Sequence, residues 1–194
     1  MLPPPALCAA LAKLKLVTVH GPWWRVVAFR FLLKKPADPL YAAGSKIDGA
    51  RFTPKDGFDS LYLTGDQVTA LAEVNSLVLL PGGPKSVPIP PCTLFAVEGV
   101  VSRVLDLTDA ATLAALGTDE QEMTGPWATV LSPPTQILGQ VAYDTGLVAG
   151  IQYGSANYAG KTNLVVFPDR LISLKTNYLE VHDPDGNLTQ RLGA

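Results

Sequence analysis

The apolar stretches of this chain are bulky, often β-branched and short, and that pattern constrains the fold more than any other feature. Residues 23–33 (WWRVVAFRFLL), 60–64 (SLYLT) and 92–105 (CTLFAVEGVVSRVL) read as strands, as do 150–155 and 162–167 around a loop at Asn157–Lys161. Stretches of helical spacing lie between them. Leu7, Leu11 and Leu14 predict a helix over 6–16; Val68, Leu71, Ala72 and Val74 predict one over 66–80, with Asp66 as its N-cap. Further helices are expected within 106–116, capped by Thr108, and over 135–148. Gly21-Pro22, a loop from Lys34 to Lys46, and a linker at 81–91 (PGGPKSVPIPP) punctuate the pattern. The tail reads as two strands around the turn cluster Asp183-Pro184-Asp185-Gly186-Asn187. Helices and strands mix without βαβ regularity, so the expected class is α+β, with mixed β-sheets and flanking helices. The 194 residues suit one domain, read as a helical extension over 1–20 and a body over 21–194.

Composition narrows the function classes. Hydrophobic residues make up 47% of the chain and charged residues 16%, where a soluble domain usually has about 25% charged. That excludes a disordered chain. The net charge, 15 − 17 = −2, argues against a dedicated nucleic-acid binder, which needs a basic surface. No apolar run reaches the ~18 residues that span a bilayer. The stretch MLPPPALCAALAKLKL lacks a basic start and is broken by Lys13 and Lys15, so it does not read as a leader. Cys8 and Cys92 have neither metal nor redox spacing and read as reduced thiols of a cytoplasmic protein. His20 and His182 are the only histidines, and neither sits in a zinc or Ser-His-Asp motif. No GxGxxG follows a strand, and Lys85-Ser86 lacks the glycine spacing of a phosphate loop. No metal is expected, and any chemistry rests on Arg, Glu, Tyr and Ser.

Several segments then fall in a telling order. They are Trp24-Arg25-Val26 with Arg30 beyond it; Asp48-Gly49-Ala50-Arg51-Phe52-Thr53-Pro54; Leu61-Tyr62-Leu63-Thr64; and Thr69-Ala70-Leu71-Ala72-Glu73-Val74. Val104-Leu105-Asp106-Leu107-Thr108-Asp109, Gly150-Ile151-Gln152-Tyr153-Gly154-Ser155-Ala156 and Asn163-Leu164-Val165-Val166-Phe167 follow. Over about residues 23–170 this order resembles the RES family, named for arginine, glutamate and serine. The resemblance implies an ADP-ribosyltransferase-like fold that consumes NAD by cleaving the nicotinamide–ribose bond. It also implies a toxin held inactive by a small helical antitoxin, often with an Xre-like helix-turn-helix, that plugs the cleft. Some members pass ADP-ribose to water or phosphate and deplete NAD; others modify a protein. The chain departs from the family pattern at Ala50, Thr53, Gly154 and Asn157, which bear on the choice of acceptor.

Within that resemblance Arg51, Tyr62, Glu73 and Ser155 are the expected catalytic set, and Arg25, Arg30, Arg51, Tyr62 and Ser155 the expected NAD contacts. The chemistry agrees. Breaking an N-glycosidic bond builds positive charge on ribose, which a carboxylate such as Glu73 opposes. Pyrophosphate suits the guanidinium fork of Arg51, Arg25 or Arg30. Tyr62 offers a flat face and a hydroxyl, and Ser155 a hydrogen-bonding hydroxyl. On strand parity, Arg25 and Arg30 should point to opposite faces, so one of them is expected at the site. Without the resemblance, Glu73 reads as a solvated helix charge, Arg51 as an ion-pair partner of Asp48, Tyr62 as core and Ser155 as turn chemistry. Two further functions stay open: a mono-ADP-ribosyltransferase acting on a specific cytoplasmic protein, and an inactive binding module that keeps the fold.

Overall fold

The computed structural model describes residues 1–33 and 36–193. Its strands are β1 (Val17–His20), β2 (Trp23–Ala28), β3 (Leu61–Thr64), β4 (Leu77–Leu80), β5 (Gly83–Ser86), β6 (Cys92–Asp106), β7 (Gly150–Gly154), β8 (Thr162–Val166), β9 (Tyr178–Val181) and β10 (Arg191–Leu192). Its helices are α1 (Pro4–Leu11), α2 (Phe29–Leu32), α3 (Ala43–Asp48), α4 (Gln67–Glu73), α5 (Ala110–Ala115), α6 (Glu120–Thr124) and α7 (Pro134–Asp144). The molecule is a single α+β domain built on one large mixed sheet.

The 15-residue β6 organises that sheet. Its first half pairs antiparallel with β2, from Ala28↔Cys92 to Trp23↔Val97. Its middle carries β9 on Val97–Val100, and its second half carries β1. Its end pairs in parallel with β7, Val104 opposite Gly150. Since β7 pairs β8, β8 pairs β3 and β3 pairs β2, the pairings run in a ring back to β6. Gly99, at φ 153°, sits in β6 where β9 crosses; a Cβ there would lie 2.1 Å from the Tyr178 carbonyl oxygen, so glycine is required.

Strand alternation sorts two cores. Leu61, Leu63, Leu164 and Val166 pack on one face with Val97, Val101 and Val104. The intervening residues Val165, Tyr153 and Ile151, with Tyr62 beside them, face α1 and α7 through Leu7, Leu11, Leu138 and Ala142. At this second face α7 presses on the segment that carries Arg51. A Cβ on Gly139 would lie 1.9 Å from the Phe52 carbonyl oxygen, so only glycine permits this approach. Gln136 Nε2 donates to the Ala50 carbonyl at 2.9 Å, fixing the same segment.

Several elements differ from expectation. The strand over 23–33 stops at Ala28, and Phe29–Leu32 turn into α2. The expected loop from Lys34 to Lys46 lies partly outside the described residues, and its end is α3. The helix over 66–80 ends at Glu73, because Asn75 takes φ 58° and the Ser76 N–H closes on the Leu71 carbonyl. Leu77–Leu80, expected as the end of that helix, are instead a strand that pairs with Gly83–Ser86, which fall within the expected linker, as a hairpin. Asp109, not Thr108, caps α5, accepting from the Thr112 N–H at 2.8 Å. Residues 1–20 hold a shorter helix than expected and also β1; Leu7 and Leu11 are buried in the same core as Phe52. Among the described residues, no helix is long and apolar enough to cross a membrane.

Candidate active site

Glu73 is the last residue of α4, and the start of that helix is fixed. Asp66 accepts from the Thr69 N–H at 2.9 Å and from its hydroxyl at 2.8 Å. Lys161 Nζ adds an ion pair at 3.6 Å. Burial alone would push the Asp66 carboxyl up, but the Thr69 bonds and Lys161 outweigh it and hold the group below the usual carboxylate range.

Three side chains hold the Glu73 carboxylate. The Ser155 hydroxyl donates to Oε1 at 2.6 Å and Asn163 Nδ2 to the same oxygen at 2.7 Å. Asn157 Nδ2 donates to Oε2 at 3.1 Å. Asn163 lies in β8; Ser155 and Asn157 follow β7. The Ser155 oxygen also accepts from the backbone N–H groups of Asn157 and Tyr158, so it closes its own loop. Ser155 is 6% exposed and stands behind the carboxylate, while Glu73, Asn157 and Asn163 line an open cleft of about 760 Å³.

Tyr62, Arg51, Arg25 and Arg30 line the same cleft. The Tyr62 hydroxyl accepts from the Phe52 N–H at 2.9 Å, joining β3 to the Arg51 segment. Burial raises its pKa, and bonds to Thr53, Phe52 and Ser60 offset this only in part. Arg51 Nη1 donates to the carbonyls of Met123 and Gly125, each at 2.9 Å, tying the end of α6 to the cleft wall. Arg25 is half-buried, and its two terminal nitrogens donate to the Tyr62 carbonyl at 3.0 Å and the Tyr41 carbonyl at 2.6 Å. Burial lowers its pKa to about 10, against the opposing pull of Asp38. Arg30 is exposed on α2, its guanidinium 5.0 Å from the Phe31 ring centroid. The turn into helix after Ala28 removes the parity argument, and both arginines border the cleft.

The sequence reading assigned no role to Asn163, Tyr153 or Trp127, which line the cleft, and marked Asn157 only as a departure from the family pattern, not as a donor to Glu73. A signal existed for Asn163: it is a lone amide on the cleft-facing side of an apolar strand, where a polar group needs a partner. Trp127 lies in an irregular segment with no pattern to read. Among the described residues, no group of three or more His, Cys, Asp or Glu side chains is placed to hold a metal ion.

The RES domain family model matches residues 22–189. A chain of the crystal structure of the M. tuberculosis MbcT–MbcA toxin–antitoxin complex superposes with a TM-score of 0.67, at 16% identity, over 97% of this chain and 92% of that one. No curated protein matches the sequence. The family model spans most of the chain and takes in Arg25, Arg51, Tyr62, Glu73 and Ser155, so the chain belongs to the RES domain family.

Proposed function

We propose that this protein is the toxin of a toxin–antitoxin pair that cleaves the nicotinamide–ribose bond of NAD and passes ADP-ribose to water or phosphate. One observation carries the reading: the Glu73 carboxylate is fixed by three side-chain donors at the wall of an open cleft. A cleft of about 760 Å³ is ample for a dinucleotide. The family match and the toxin–antitoxin complex among its structural neighbours support the biological role.

The residues divide the work. Oε1 of Glu73 is occupied by Ser155 and Asn163, which leaves Oε2, whose donor among the described residues is the exposed Asn157, to oppose the charge that develops on ribose. Arg30 and the remaining N–H groups of Arg51 draw the pyrophosphate. Arg25 holds the backbone of Tyr62 and Tyr41 from beneath and adds positive potential under the cleft. Tyr62 stacks against the substrate while its hydroxyl anchors Phe52. Ser155 acts as a positioning residue for Glu73. The partner is a cytoplasmic helical antitoxin of the Xre-like kind that inserts a segment into the cleft.

The test is incubation of the purified protein with NAD labelled in its adenylate part, together with cell lysate. Free nicotinamide without labelled protein supports hydrolysis or phosphorolysis. A discrete labelled band assigns a protein target instead. Glu73→Gln should keep NAD binding and lose ~10²–10³ in rate; wild-type release by that variant overturns the mechanism.

A further inference from the structure

Asn163 has a job left over. Its Nδ2 faces the Glu73 carboxylate at 2.7 Å, and a carboxylate only accepts, so the amide orientation is fixed by chemistry. The other end, Oδ1, is buried and has no partner among the described residues, in a residue 3% exposed that lines the cleft. The neighbours across the strands do not supply the missing proton. On one side Asn163 stands opposite Thr64, whose hydroxyl is directed to the Asp66 carbonyl at 2.9 Å and the Trp24 carbonyl at 3.3 Å. On the other side stands Tyr153, also on the cleft, with its hydroxyl against the Asn163 amide and near Tyr62, Glu73 and Arg51. Burial, with the nearby Tyr62 and Glu73, pushes the Tyr153 phenol well above its ordinary range, so it keeps its proton. An orphan acceptor in a buried place costs stability unless a ligand satisfies it.

The geometry points to Asn163 Oδ1 and the Tyr153 hydroxyl as an acceptor–donor pair that reads a hydroxyl of the sugar beside the bond being broken. This rests on the reading of the chain as an NAD-cleaving enzyme. An alcohol both donates and accepts, which an adjacent carbonyl oxygen and phenol satisfy together. The pair lies one hydrogen bond from Glu73. It therefore meets the ribose whose charge Glu73 opposes, rather than the distant adenosine end. The Asn163 amide would then link two tasks, fixing the carboxylate with one end and checking the sugar with the other.

The experiment measures product release from four substrates by the full chain and two variants, Asn163→Ala and Tyr153→Phe. The substrates are NAD, its analogues lacking the 2′- or the 3′-hydroxyl of the nicotinamide-bearing ribose, and nicotinic acid adenine dinucleotide. The wild type should prefer NAD to at least one deoxy analogue by about tenfold or more. In each variant that preference should collapse to within about twofold. A merely structural role lowers all rates together and leaves the preference unmoved, and that result overturns the inference. So does a change confined to the acid-against-amide preference, which would mean that the pair reads the leaving base. Tyr153→Phe removes one oxygen from a buried ring, so it remains informative if Asn163→Ala fails to fold. A wild type that releases nothing from NAD overturns the enzymatic reading itself; release with an unmoved hydroxyl preference overturns this inference alone.

Discussion

Ser155 and Glu73, 82 residues apart in the chain, share a 2.6 Å hydrogen bond that the serine donates to Oε1. The serine thus acts on the carboxylate from behind with its proton, while its oxygen accepts from two N–H groups of the loop that follows it.

Ser155→Ala should therefore lower turnover rather than substrate binding. A hydrogen bond to a charged group contributes about 1.5–3 kcal/mol, so kcat for nicotinamide release should fall by about 10–100-fold. KM for NAD should stay within about threefold of wild type. Steady-state kinetics on both proteins checks this, and a KM effect with kcat unchanged would place Ser155 against the substrate instead.

Arg51→Ala should unfold more easily as well as bind NAD less tightly. The substitution leaves the Met123 and Gly125 carbonyls without their donor, at a cost of about 2–4 kcal/mol. For a domain of this size that lowers the melting midpoint by about 5–12 °C. Arg51→Lys should recover part of the charge but not both carbonyl contacts, and should melt between the two. Calorimetry of the three proteins checks the order.

Asp66→Ala should destabilise α4 at neutral pH by about 1 kcal/mol, the usual contribution of an N-cap. The folded carboxyl sits below its ordinary range, so its contribution is present above the unfolded pKa of about 3.9 and is lost as pH falls through the lower folded value. Urea denaturation of wild type and variant should differ at pH 7 and converge as pH falls through the lowered folded value. A constant difference down to pH 2 would show that ionisation of Asp66 contributes nothing.

Tyr62→Phe removes the acceptor of the Phe52 N–H and the partner of Thr53 Oγ1. An unpaired buried amide costs about 1–3 kcal/mol. The Arg51 segment hangs on that bond, so nicotinamide release should fall with stability, and the ring's stacking face should preserve NAD affinity. Equilibrium denaturation and NAD titration on one preparation separate the two effects.

Much of this architecture is written in local pattern. The LYLT strand, the Asp66 cap, the long 92–105 strand and the Gly150 and Thr162 strands are set by side-chain alternation and by one capping carboxylate, which a linear reading detects. The break after Ala28 is not. Phe29–Leu32 are as bulky as the strand before them, and only tertiary packing turns them into a helix. Likewise Asn75 ends α4 through a left-handed backbone conformation that its neighbours in sequence do not announce. At the site, Glu73 and Arg51 stand in segments of family character, whereas the roles of Asn163 and Asn157 depend on contacts made across 90 and 84 residues. A partner so distant leaves no periodicity, and only the sheet register reveals it.

The long β6 strand has a consequence for how the molecule comes together. It borders β1 and β2, which precede it, and β7 and β9, which follow it. Neither flank can zip fully until residues 92–106 are in place, and Glu73 gains its clamp only when Asn163 has joined the sheet. The contact order is correspondingly high, which favours slow and strongly cooperative folding over stepwise accretion. During synthesis, the N-terminal half carries Arg51 and Glu73 but none of the donors that fix the carboxylate. A nascent or truncated chain that stops short of β8 therefore lacks the Asn163 donor to the Glu73 carboxylate.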